Sequence, residues 1–135
     1  MKWFMVFLLG AFTFFQLNAQ DASTAQGPLI SWELPSHDFG DITQGDKVNH
    51  TFRFTNTGNQ PLVLTNVEVT CGCTTPKGWP RDPIPPGGKG ELTVAFNSAG
   101  KFGKQNKVIT ITSNSVGSTN QVMITANVLE KKDAN

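Results

Sequence analysis

Residues 47–58 read KVNHTFRFTNTG. Val48, Phe52 and Phe54 fall on one face of an extended chain, and Thr51, Arg53 and Thr55 fall on the other. A period of two with one apolar face is the mark of a half-buried strand. The next four residues, Asn56-Thr57-Gly58-Asn59, are a turn, because Asn and Gly tolerate positive φ. The same alternation recurs along the chain. Ile30, Trp32 and Leu34 share a face, as do Leu92, Val94 and Phe96 in Gly90–Asn97. Ile109 and Ile111 do so in Lys107–Ser113, and Val122, Ile124, Ala126 and Val128 in Gln121–Leu129. Pro61–Thr70 (PLVLTNVEVT) alternates less cleanly, as expected of a strand with neighbours on both faces. A seventh short strand is expected near Phe39–Ile42 or near Arg81–Ile84. Seven short strands with turns between them predict an all-β, immunoglobulin-like β-sandwich of antiparallel strands with Greek-key connections. Two sheets packed face to face hide every apolar face at once. A small Greek-key barrel is the competing architecture. The chain has no tyrosine, hence no tyrosine corner, and its two cysteines lie too close in sequence for an inter-sheet bridge.

Working outward, the first 19 residues read as an export signal: Lys2, then the uncharged apolar run Trp3–Phe15, then a small-residue cleavage site at Leu17-Asn18-Ala19. The apolar run is shorter than the ~20 residues a membrane-spanning helix needs. No cysteine lies near the cleavage site, so a lipid anchor is not expected. The predicted organisation is a removed signal over 1–19, a flexible leader over 20–28, the immunoglobulin-like domain over 29–129 and a polar tail over 130–135. Residues 20–135 balance ten basic against ten acidic side chains. A neutral chain has no long-range field to draw in nucleic acid or anionic lipid. Val, Ile and Thr supply 29 of those 116 residues, which favours strands over helices.

Residues 71–90 read CGCTTPKGWPRDPIPPGGKG, and their prolines and glycines largely exclude regular structure. Cys71-Gly72-Cys73 opens the segment and admits three readings. One is a local disulfide: residues i and i+2 of a strand lie about 6.6 Å apart at Cα, near the upper edge of disulfide geometry. So small a ring stabilises little and suits redox chemistry better than architecture. Another is a thiolate site for Cu(I) or half of a zinc site, although other soft ligands are scarce. The third is a pair of packed thiols. The structural readings, a local disulfide or buried thiols, rank ahead of redox or metal function.

Trp79 is either a plug that pins the long segment to the sandwich or an aromatic on a binding surface. His50 lies in phase with Val48 and Phe52 and reads as a boundary residue near the start of its strand. Lys101, Lys104 and Lys107 read as a solvated hairpin tip. No G-x-S-x-G, H-E-x-x-H or phosphate-cradling glycine loop occurs, so no enzyme is expected.

Taken in order, Asp38-Phe39-Gly40-Asp41-Ile42, Gly45, Phe52–Asn56-Thr57-Gly58, Cys71-Gly72-Cys73-Thr74, Ile84-Pro85-Pro86-Gly87, Gly103 and Ser113-Asn114 carry a resemblance. From about Trp32 to Val128 the chain resembles the bacterial family called Domain of Unknown Function 1573. The resemblance implies an exported envelope protein, many of whose relatives have signals ending in Ala-Gln, as Ala19-Gln20 does here. It also implies a fold similar to the ASPM–SPD-2–Hydin and major-sperm-protein modules, which are non-enzymatic binding or scaffolding domains. It supplies no catalytic residues.

The leading expectation is therefore a non-catalytic exported domain, periplasmic or extracellular and not lipid-anchored, that binds a protein of the bacterial envelope or supports its structure. No cofactor, nucleic-acid partner or stable membrane insertion after signal cleavage is expected. The alternative is a thiol-based redox or Cu(I)-binding module built on Cys71 and Cys73. A third class is carbohydrate binding around Trp79.

Overall fold

Alternating side chains need a second apolar layer to pack against, and here each sheet provides it for the other. The computed structural model describes residues 27–117 and 119–132. The predicted signal, and the leader as far as residue 26, lie outside the described residues. The described chain forms eight strands: β1 (Ile30–Trp32), β2 (Ser36–Thr43), β3 (Lys47–Asn56), β4 (Leu64–Val69), β5 (Thr74–Gly78), β6 (Lys89–Asn97), β7 (Gly103–Ser113) and β8 (Thr119–Leu129). Sheet A runs in the order β1-β3-β6-β5 and sheet B in the order β2-β8-β7-β4. Phe52, Phe54, Leu92, Val94 and Phe96 of sheet A and Ile109, Ile111, Val122, Ile124 and Val128 of sheet B are buried in one core. The molecule is an all-β sandwich of the immunoglobulin-like kind, as the alternation predicts.

Four details differ from the sequence reading, each for a physical reason. The expected seventh strand is real and lies over Phe39–Ile42, inside β2, whereas Ile84 makes an isolated bridge to Leu62. β2 pairs with β8 in parallel, so the sheets are not wholly antiparallel. The chain leaves sheet A after Trp32 and runs along the free edge of sheet B, where the direction of travel matches β8. Its register slips between Asp38 and Asp41. Gly40 takes a φ of 70° there, and its N–H donates to Asp38 Oδ1 at 2.8 Å.

The second difference is β5, which lies within the segment expected to be irregular. Pro76 pairs opposite Val94 at the outer edge of sheet A, where a missing N–H costs no ladder bond. The third is the phase of residues 62–69. Leu62 and Leu64 are buried, but Val67 and Val69 take the next inward positions. A register shift between Leu64 and Asn66 moves the apolar face by one residue, so the untidy alternation reflects a bulge rather than burial on both faces. The fourth concerns the three lysines. β6 and β7 belong to different sheets, so the segment around Lys101 is a crossing between sheets rather than a hairpin tip.

Gly27 and Pro28, placed in the leader by sequence, are buried. Gly27 N–H donates to Asn59 Oδ1 at 2.7 Å, and Pro28 O accepts from Val116 N–H at 2.8 Å.

Candidate functional site

The end of the sandwich where β3 finishes is organised by one side chain. Asn56 is fully buried, at 0% exposure. Its Oδ1 accepts from Leu29 N–H at 3.2 Å and Gly58 N–H at 3.0 Å, and its Nδ2 donates to Gln60 O at 2.7 Å and Ile84 O at 2.9 Å. The backbone of Asn56 is bonded to Gly87 and Gly88. One amide thus satisfies its full donor and acceptor capacity and ties four segments together. A Cβ on Gly58 would overlap Gly27 O and lie 2.6 Å from Leu29 N. The Asn56-Thr57-Gly58 and Ile84-Pro85-Pro86-Gly87 motifs meet at this point, and their work is architectural. Sequence marked them only as a turn and a loop.

At the opposite end lies the cysteine pair. A disulfide joins Cys71 and Cys73, with their Cα atoms 5.3 Å apart. The local-disulfide alternative is therefore the one present, and the shorter Cα separation follows from a turn rather than an extended strand. Both residues are half-buried. Thr74 N–H donates to Cys71 O at 3.2 Å, and Asn97 N–H donates to Cys73 O at 2.8 Å. Thr74 Oγ1 lies 3.9 Å from Cys71 Sγ and 3.8 Å from Cys73 Sγ. Beside the pair is a cleft of about 350 Å³ lined by Gly72, Cys73, Lys47, Lys77 and Asn97 among others. Sequence reasoning missed both lysines, because β3 and β5 bring them together only through their shared pairing with β6. As a disulfide the sulfurs offer no thiolate to a metal. Among the described residues no three His, Cys, Asp or Glu side chains converge.

Trp79 stands where β5 ends. It packs against the core, and the Arg81 guanidinium carbon lies 3.6 Å from the centre of its ring. It also borders an open groove of about 1140 Å³ on the outer face of sheet A, whose other walls include Ser31, Arg53, Thr55, Lys89 and Glu91. The lining mixes hydroxyls with charges of both signs. Arg53 and Glu91 approach to 3.4 Å but are largely exposed, so their pairing is worth well under ~1 kcal/mol.

His50 is not at a strand boundary. It sits within β3 opposite Val94, and its ring stacks on that of His37 at 3.7 Å and 7°. Phe39 and Phe52 meet the pair edge-on. Burial first, and then the neighbouring His37, hold the His50 imidazole below its ordinary pKa. The pair bridges β2 of sheet B to β3 of sheet A. No sequence signal joined the two residues, which lie 13 positions apart on different strands.

The family model described as a protein of unknown function (DUF1573) matches residues 30–128. The chain belongs to this family. Among solved structures, the DUF1573 domain is similar to a protein of unknown function from Porphyromonas gingivalis W83, with a TM-score of 0.66 and 22% identity over 82% of this chain and 51% of that one. It is similar to the secreted serine protease VesC of Vibrio cholerae, with a TM-score of 0.62 and 16% identity over 78% of this chain and 24% of that one. It is also similar to the ASH / PapD-like domain of human CEP192, with a TM-score of 0.60 and 10% identity over 84% of this chain and 94% of that one. The DUF1573 domain thus spans about half the length of the P. gingivalis protein and about a quarter of VesC. At these identities the likeness shows the fold alone. No curated protein matches the chain.

Proposed function

We propose that this DUF1573 domain is an exported, non-catalytic binding module of the bacterial envelope that engages a protein partner across the outer face of sheet A. The groove between β1 and Trp79 carries the reading. It crosses the solvent face of all four strands and offers hydroxyl donors and acceptors together with both signs of charge. Such a lining suits a polar polypeptide surface rather than an anion or a lipid. Trp79 at its border, with Arg81 stacked over its ring, is of the residue type that most often anchors interfaces.

The non-catalytic reading is supported by the two histidines, His37 and His50, whose rings stack on each other and meet Phe39 and Phe52 edge-on. Export is supported by the uncharged run Trp3–Phe15, and also by the disulfide, a bond that persists outside the reducing cytoplasm.

A photo-crosslinking residue placed at Thr55 in the groove, or at Thr110 on the outer face of sheet B, tests the proposal in cells. The expected result is one discrete protein adduct from Thr55, none from Thr110, and loss of the adduct in Trp79→Ala. Equal adducts from both faces, no adduct from either, or a measured turnover that requires the groove residues would contradict it.

A further inference from the structure

Three of the motifs that carry the family resemblance have structural work. The Asp38–Ile42 motif makes the β2 bulge, and the Asn56–Gly58 and Ile84–Gly87 motifs meet at the Asn56 amide. In Cys71-Gly72-Cys73, Cys73 packs partly against the core, but the bond between the two sulfurs adds little to the turn. The turn it occupies is already closed by Thr74 N–H to Cys71 O and anchored to β6 by Asn97 N–H to Cys73 O. A bond spanning two residues removes little entropy from the unfolded chain. Both cysteines are half-buried, and the cleft that reaches Cys73 contains Lys47 and Lys77 and no carboxylate.

We propose that the Cys71–Cys73 disulfide is a thiol–disulfide exchange site that oxidises small anionic thiols. The site is separate from the groove and does not depend on it.

Cys73 borders the cleft and Cys71 does not, so the incoming thiolate attacks Cys73 Sγ. A bond forms between the donor sulfur and Cys73 Sγ, and Cys71 Sγ leaves with the electron pair. Thr74 Oγ1, 3.9 Å from that sulfur, turns its hydrogen toward the departing thiolate. A second thiolate of the donor, or of another donor molecule, then attacks the donor sulfur and releases Cys73 as a thiolate. Two donor thiols become one disulfide, Cys71 and Cys73 take up the two electrons, and the two protons of the donor thiols end on the protein thiols. The lysines act by drawing in the anion and by stabilising negative charge at the sulfurs. They are positioning residues.

The test uses three thiols on the purified chain at neutral pH: 2-mercaptoethanesulfonate, neutral 2-mercaptoethanol and cationic cysteamine. Mixed disulfides are followed by mass spectrometry, and each rate is divided by the thiolate fraction of the reagent. The sulfonate is expected to react about three- to tenfold faster than cysteamine at low salt. The preference should disappear in Lys47→Gln/Lys77→Gln, whose melting temperature should match the wild type. Fragmentation should place the adduct on Cys73. The chain with both cysteines changed to serine should keep a cooperative transition within about 10 °C of the wild type. Sulfurs inert to all three thiols, equal rates for anion and cation, a preference that survives loss of both lysines, or unfolding on removal of the bond would each overturn the proposal.

Discussion

At the end of the sandwich where Asn56 lies, a buried amide makes four hydrogen bonds and the backbone of Gly58 packs against that of Gly27. At the other end, Ser98 Oγ reaches the carbonyls of Thr43 and Asp46 at 3.0 and 2.8 Å, while Cys71, Cys73 and Phe102 stand partly or largely in solvent. Both ends join the same two sheets. The first does so with groups withdrawn from water, where each unsatisfied partner is costly. The second does so with the equally buried Ser98 but leaves the disulfide beside it partly exposed. The two ends differ in what they leave exposed: a closed amide network at one and a half-buried disulfide at the other.

That contrast breaks most readily at Asn56. Replacing it with alanine strands Leu29 N–H, Gly58 N–H and two carbonyls, and should cost about 4 kcal/mol in urea unfolding. Gly58→Ala forces the chain away from Gly27 and should cost about 2–3 kcal/mol by the same measurement. At the other end, removing both sulfurs with Cys71→Ser/Cys73→Ser should cost no more than about 1.5 kcal/mol. Acid probes a third place, the His37–His50 stack between the sheets. Because folding holds the His50 pKa down, the folded chain binds fewer protons than the unfolded one. Its stability contribution is full above the ordinary histidine value of about 6.5 and falls as pH drops below it toward the lowered pKa. The melting temperature should therefore decline between about pH 7 and about pH 5, and less so in His50→Gln. Arg53→Ala, which removes only an exposed ion pair, should change stability by less than about 0.5 kcal/mol.

Much of the fold was legible because alternation survives in the chain itself: Phe52/Phe54 and Leu92/Val94/Phe96 point inward as their spacing requires. β5 was not legible, because an edge strand tolerates the proline that a central strand forbids. The parallel pairing of β2 was not legible either, because strand direction depends on where the chain re-enters a sheet and not on its side chains. At the candidate sites, the oddity of Cys71-Gly72-Cys73 is visible in the sequence, whereas its bonding state depends on the turn that brings the two residues together. Lys47, Lys77 and the His37–His50 stack come together only through cross-strand register and sheet packing, which leave no mark at a fixed spacing. Asn56 read as a turn former, and its burial depends on four segments from distant parts of the chain.

The most direct measurement of the division between the two ends is equilibrium urea unfolding of Asn56→Ala and of Cys71→Ser/Cys73→Ser beside the wild type. The amide variant should lose about 4 kcal/mol and the cysteine variant no more than about 1.5 kcal/mol. A cysteine variant that loses as much as the amide variant, or more, would contradict it.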